Sequence, residues 1–167
     1  MNIFLCDPDV NKCAQALDNL RLNKMLIETG QLLSTAYRRL IPDRDAYPES
    51  LYKSTHENHP CSVWVRESLD NYLWLLTYFN ALHEEYYYRK RSNHMTWVKL
   101  NKVLKDPVEG MEFKPIQELK VSFDCSSVFD DKISIYDKYR TCLRNKWKHD
   151  SSTPSWGSRQ PPEWSGV

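Results

Sequence analysis

The sequence contains no run approaching the ~18 apolar residues of a membrane span, no CxxC pair, no internal repeat and no linker long enough to divide it. Each absence removes a class of protein. The opening residues, MNIFLC, have neither a basic lead nor an apolar stretch long enough for a signal peptide, so the expected compartment is the cytoplasm, the host cytoplasm if the chain is phage-encoded. The five cysteines (Cys6, Cys13, Cys61, Cys125, Cys142) are odd in number and scattered, which argues against a disulfide scaffold or a zinc ribbon and for reducing surroundings. A charge excess is missing as well. With 23 basic and 22 acidic residues the formal net charge is +1, so nucleic-acid binding cannot be argued from overall charge.

What is present is a globular composition, 41% hydrophobic and 13% aromatic in 167 residues, enough for one core with aromatics to spare for a ligand surface. The expected architecture is mainly α: a compact single-domain helical fold over residues 1–150, with long loops. An irregular tail, residues 151–167, is broken by Pro154, Gly157, Pro161 and Pro162, and is docked through Trp156 and Trp164. Charge is concentrated locally. Residues 132–149 hold six cations (Lys132, Lys138, Arg140, Arg144, Lys146, Lys148) against one acid, Asp137, for a net +5.

Residues 18–37 read as a mostly buried helix, with Leu20, Leu22, Met25, Leu26, Ile27, Leu32, Leu33 and Ala36 around most of its circumference. One polar stripe crosses it. Arg21, Lys24, Glu28 and Gln31 recur at helical spacing on one side, either as an ion-paired surface or as the floor of a cleft that meets an anionic ligand. Before this helix, residues 1–6 are expected to pack on the domain, and Asp7 with Pro8 to make a turn or cap ahead of a helix starting near Asp9. After it, residues 42–58 form a loop placed over the stripe. One long amphipathic helix is expected from Cys61 to about Arg89, capped by Asn58 or His59 with Pro60 in its first turn. A short helix follows over 97–104, then an irregular region over 105–134 with a short strand near 119–123. The last helix covers about 135–147.

Three constellations carry chemistry. His56 and His59 flank Glu57, too few ligands for a zinc centre; His59 either caps a helix or sits with His56 near phosphates. Tyrosines and cations at 86–91, including Arg89 and Arg91, and the helix carrying Arg140, Arg144, Lys146 and Trp147 pair stacking surfaces with charge. That combination suits unstacked bases or ordinary helix ends. Glu28, beside Arg21 and Lys24, is either a structural ion pair or a catalytic carboxylate among phosphate-binding cations.

The segment LDNLRLNKMLIE, residues 17–28, and the NHP and WVRES blocks within residues 58–68 resemble the pyrimidine-dimer DNA glycosylases of the phage endonuclease V type, over roughly residues 1–92. The resemblance implies an all-α domain that binds double-stranded DNA, kinks it, flips a base out and attacks the sugar C1′ with an amino-terminal amine. Glu28 would then stabilise the cationic sugar and assist proton transfer, Arg21 and Lys24 would hold phosphates, and His59 would line the cleft. An α-amine, with a reference pKa of ~7.7–8.0 against ~10.4 for a lysine, suits that role.

In that family a small residue is exposed by removal of the initiator Met, whereas Asn2 here disfavours removal. The nucleophile would then be the Met1 α-amine, or Lys24, or there is none. The implied activity is an N-glycosylase, with or without lyase cleavage at the abasic site, acting on a damaged or modified pyrimidine, with no cofactor or metal, as a monomer. The rivals are a phage protein that modifies or binds a base without strand cleavage, and a non-enzymatic nucleic-acid-binding protein.

Overall fold

Asp9 opens the first helix by accepting a hydrogen bond from the Asn11 N–H, and the chain then runs through six helices among the residues described in this computed structural model. The structure describes residues 2–41, 43, 45, 47–105, 111–116 and 132–166. The helices are α1 (Val10–Ala16), α2 (Asn19–Leu40), α3 (Pro60–Glu67), α4 (Leu69–Lys90), α5 (Met95–Leu104) and α6 (Ile135–His149), with one 3-10 turn at Glu163–Ser165. No strand occurs among the described residues, so the fold is mainly α as the composition and periodicity imply. The strand expected near 119–123 lies outside them.

α2 is the central element. Leu22, Met25, Leu26, Leu32, Leu33 and Ala36 are buried, and the helix packs against α3, α4 and α5. Gly30 lets α5 approach closely: a Cβ there would fall 2.7 Å from Thr96 Cγ2 and 2.8 Å from Leu100 Cδ1. The apolar cover is less complete than the pattern suggested. Leu20 is 58% and Ile27 37% exposed, because the row they share points away from the helices that bury the opposite face.

The long helix expected from Cys61 to Arg89 is two helices. Ser68, at φ −154° and ψ 157°, ends α3 and caps α4, its hydroxyl accepting from the Asn71 N–H. The Leu69 N–H, which a continuous helix would bond internally, donates instead to the Glu112 carbonyl at 2.9 Å, and Asn71 Nδ2 donates to the Trp64 carbonyl at 2.8 Å. A contact from a distant loop thus decides a break that amphipathic periodicity could not signal. The described part of loop 42–58 also differs from expectation. It docks on the carboxyl end of α2, where Arg38 donates to the Tyr52 and Leu51 carbonyls and the Tyr47 hydroxyl donates to the Arg38 carbonyl, and leaves the stripe uncovered.

The amino-terminal segment is buried as expected, with Ile3 and Phe4 in the core. The tail returns to the start of α2: the Asn19 N–H donates to the Ser155 carbonyl at 2.7 Å, and Trp156 Nε1 donates to the Ala16 carbonyl at 2.9 Å. Trp147 of α6 lies edge-on to Trp156 and stacked on Trp164. Cys6, Cys13 and Cys61 are buried free thiols, whereas Cys142 is disulfide-bonded, a pairing that the scatter of the cysteines did not lead us to expect.

α5 carries a pH-sensitive cap. His94 Nδ1 accepts from the Thr96 N–H, and its Nε2 lies 3.0 Å from Asn23 Oδ1, so the neutral ring with its proton on Nε2 satisfies both contacts. Burial lowers the His94 pKa from its ordinary value. A proton is therefore bound more readily by the unfolded chain. The cost is absent above the unfolded value of ~6.5 and grows as pH falls from there toward the folded value. Melting temperature is expected to drop between pH 7 and 5, and His94→Asn, which keeps a capping side chain, to flatten that dependence. Equal slopes in the two proteins would exclude His94 as a source.

Candidate active site

The polar stripe of α2 opens into a cleft of about 240 Å³ lined by Asn2, Phe4, Leu20, Arg21, Lys24, Met25, Glu28, Lys146 and Asp150. Three segments distant in sequence build it: the chain start, one face of α2 and the end of α6.

Glu28 is its centre. The backbone N–H of Asn2 donates to Glu28 Oε2 at 3.1 Å, and Lys24 Nζ lies 3.7 Å from Oε1. The Asn2 side chain is itself buried; its Oδ1 accepts from the Ile3 N–H, which orients the amide and leaves Nδ2 without a hydrogen-bond partner. The Lys24 side chain is 66% exposed, so its pairing with Glu28 is solvent-screened and contributes little to stability. Nearby Cys61 is no competing nucleophile. Burial pushes its thiol up to about 11, with the Glu28 carboxylate adding to the rise, and it stays protonated at neutral pH.

Arg21 is buried and held between two carboxylates, Asp18 Oδ1 at 3.0 Å and Asp150 Oδ2 at 2.7 Å. Trp147 Nε1 donates to the same Asp18 oxygen at 2.9 Å. This explains why Asp18, at the N-cap of α2, makes no capping hydrogen bond: its carboxylate is turned to Arg21 and Trp147. Arg21 therefore forms a wall of the cleft with its charge already balanced.

The other residues singled out in the sequence are dispersed. His59 caps α3, its Nδ1 accepting from the Cys61 N–H at 3.2 Å. His56 is exposed at φ 48°, with Nδ1 2.7 Å from the Thr55 hydroxyl oxygen. The Arg89 side chain is only 1% exposed and binds Glu85 and the Gln15 and Leu17 carbonyls, so it faces inward. Trp147 is likewise core. Arg140 donates to the Cys6 carbonyl and pairs with Asp7 and Asp137; Arg144 donates to the Trp164 carbonyl. Arg91 is exposed at the end of α4, over the Tyr88 ring, whose neighbour Arg159 also lies 4.4 Å from the ring centre. Of the named cations, Lys24, Arg21 and Lys146 line the cleft. The Met1 amine lies outside the described residues. Sequence reading missed Asn2 and Asp150. Nothing in the local pattern joins Asp150 to Arg21, because that pair exists only when α6 folds across α2.

No group of three or more His, Cys, Asp or Glu among the described residues is arranged to hold a metal ion. No helix among them is long and apolar enough to cross a membrane.

A family model described as pyrimidine dimer DNA glycosylase matches residues 1–99, more than half of the chain. The chain belongs to the pyrimidine dimer DNA glycosylase family. No curated protein and no solved structure matches it. The glycosylase match covers α1 to α4 and the first half of α5, and with them Arg21, Lys24, Glu28, His56 and His59. α6 and the tail, which supply Lys146 and Asp150 to the cleft, lie beyond it. The family's activity is DNA repair by glycosylase chemistry, and DNA is the substrate class it implies.

Proposed function

We propose that this protein is a DNA N-glycosylase that removes a damaged or modified pyrimidine with an amine nucleophile, assisted by the Glu28 carboxylate. One observation carries the reading: the Asn2 backbone N–H donates to Glu28 Oε2 at 3.1 Å inside a cleft with lysines, in a chain of this family. In the covalent chain that nitrogen is three bonds from the Met1 amine, the nucleophile of this reading. Lys24 is the alternative amine, 3.7 Å from the other oxygen of Glu28.

In this reading the unprotonated amine gives its lone pair to C1′ while the C1′–N1 bond breaks. The pyrimidine leaves with the bonding pair and takes up a proton released from the attacking nitrogen. The nitrogen lone pair then expels the ring oxygen from C1′, which opens the sugar to a protonated imine as the ring oxygen takes a proton from water. Loss of a C2′ proton and cleavage of the C3′–O3′ bond would complete a lyase step. Glu28 is placed to stabilise the positive charge that develops at C1′ and to accept the C2′ proton. Lys24 and Lys146 offer charge to the flanking phosphates.

Borohydride reduction of the protein on duplex DNA containing a thymine dimer or an abasic site, followed by mass mapping, tests this. An adduct on the Met1 amine or on Lys24 is expected. Binding that weakens steeply with salt but yields no adduct would remove the imine chemistry and leave a base-binding protein.

A further inference from the structure

Leu20 stands apart from the other leucines of α2. Leu22, Leu26, Leu32 and Leu33 are buried, whereas Leu20 is 58% exposed and lines the same cleft as Glu28. A singly exposed leucine is ordinary; its place here is not. Leu20, Lys24 and Glu28 form one row at i, i+4 and i+8, so an apolar tip, a cation and the carboxylate follow one another along about 12 Å of helix at ~1.5 Å per residue. Lys146 reaches the same cleft from α6.

From this arrangement we propose that Leu20 is a wedge that enters the DNA base stack and fills the gap left when a base moves out of it. Extracting a base costs stacking energy, and apolar side chains such as leucine inserted at a base step offset that cost while kinking the duplex. The cations beside Leu20 hold the phosphates on either side of the step, and the row of α2 sets the wedge about two helical turns from the carboxylate. The proposal rests on the glycosylase reading, since only an enzyme that takes a base out of a duplex needs such a residue.

Leu20→Ala is the test, and Ile27→Ala, an exposed apolar residue of α2 that does not line the cleft, is its control. Alanine suits an exposed helical position, so the fold is retained, which a thermal melt checks. Turnover is measured on thymine-dimer DNA in duplex and single-stranded form, alongside fluorescence of a 2-aminopurine placed beside the dimer, whose emission rises on unstacking.

Leu20→Ala is expected to lower duplex turnover roughly 10- to 100-fold and to abolish the fluorescence rise, with single-stranded turnover unchanged and Ile27→Ala like the wild type. Equal losses on both strand forms, or no loss on either, would overturn the wedge. The fluorescence arm separates the two ideas. A rise with the wild type that disappears in Leu20→Ala supports the wedge even if no bond is cleaved, and no rise with the wild type overturns it.

Discussion

Glu28→Gln is expected to lower turnover on dimer-containing or abasic duplex DNA by about 10²- to 10⁴-fold, the usual contribution of a positioned acid–base or charge-stabilising group. The loss should fall in kcat, with DNA affinity at fixed salt changed only a few-fold, because Lys24 and Lys146, the cations proposed to meet phosphates, stay in place. The substitution is nearly isosteric. A glutamine oxygen still accepts the Asn2 N–H, so the chain start remains seated, and the 3.7 Å ion pair given up with Lys24 is solvent-screened. Folding stability should therefore match the wild type, and kinetics with a parallel melt separate chemistry from structure. Retention of activity within about threefold would reduce Glu28 to an anchor for the amino terminus.

Glu85→Ala is expected to cost about 3–5 kcal/mol of stability, the penalty for leaving a buried cation without its partner. Glu85 is buried and holds two arginines. Arg89 Nε donates to its Oε1 at 2.7 Å, while Arg159 makes a two-pronged contact, Nε to Oε1 at 2.6 Å and Nη2 to Oε2 at 2.7 Å. Arg89 in turn donates to the Gln15 and Leu17 carbonyls and to Asn19 Oδ1, joining α4 to the end of α1 and the start of α2. Arg159 joins the tail to the same point. Removing the carboxylate leaves the Arg89 guanidinium enclosed and loosens the tail together. At ~2–4 °C per kcal/mol for a chain of this size, the melting temperature should fall by roughly 6–20 °C. A fall of less than about 1 kcal/mol in denaturant unfolding would show that the backbone carbonyls alone satisfy Arg89.

These two carboxylates mark how far the sequence could be read. The pairing of Glu28 with Lys24 was legible because it is local: helical spacing sets the two on one side of α2 wherever that helix packs. Glu85 was not. The Tyr86 to Arg91 cluster suggests an outward basic surface, yet Arg89 points inward, since its partners at residues 15, 17 and 19 come from another part of the chain. The same holds for Trp147, an apparent stacking surface that is core between Trp156 and Trp164. Aromatic and basic residues alternate identically whether a helix faces water or a neighbouring segment.

The sequence by itself determined the helical class, a helix start close to Asp9, the narrowing of the second cap to Asn58 or His59, the burial of the chain start and the polar row of α2. Each depends on propensity, capping or periodicity acting within a few residues. Only the tertiary structure decided that α3 and α4 separate at Ser68, that Asn2 meets Glu28, that Asp150 balances Arg21, and that Leu20 stays in water at the rim of the cleft. Those outcomes join residues tens of positions apart, or depend on which face of a helix its neighbours leave uncovered. They follow from how the helices pack together, which short-range pattern does not encode.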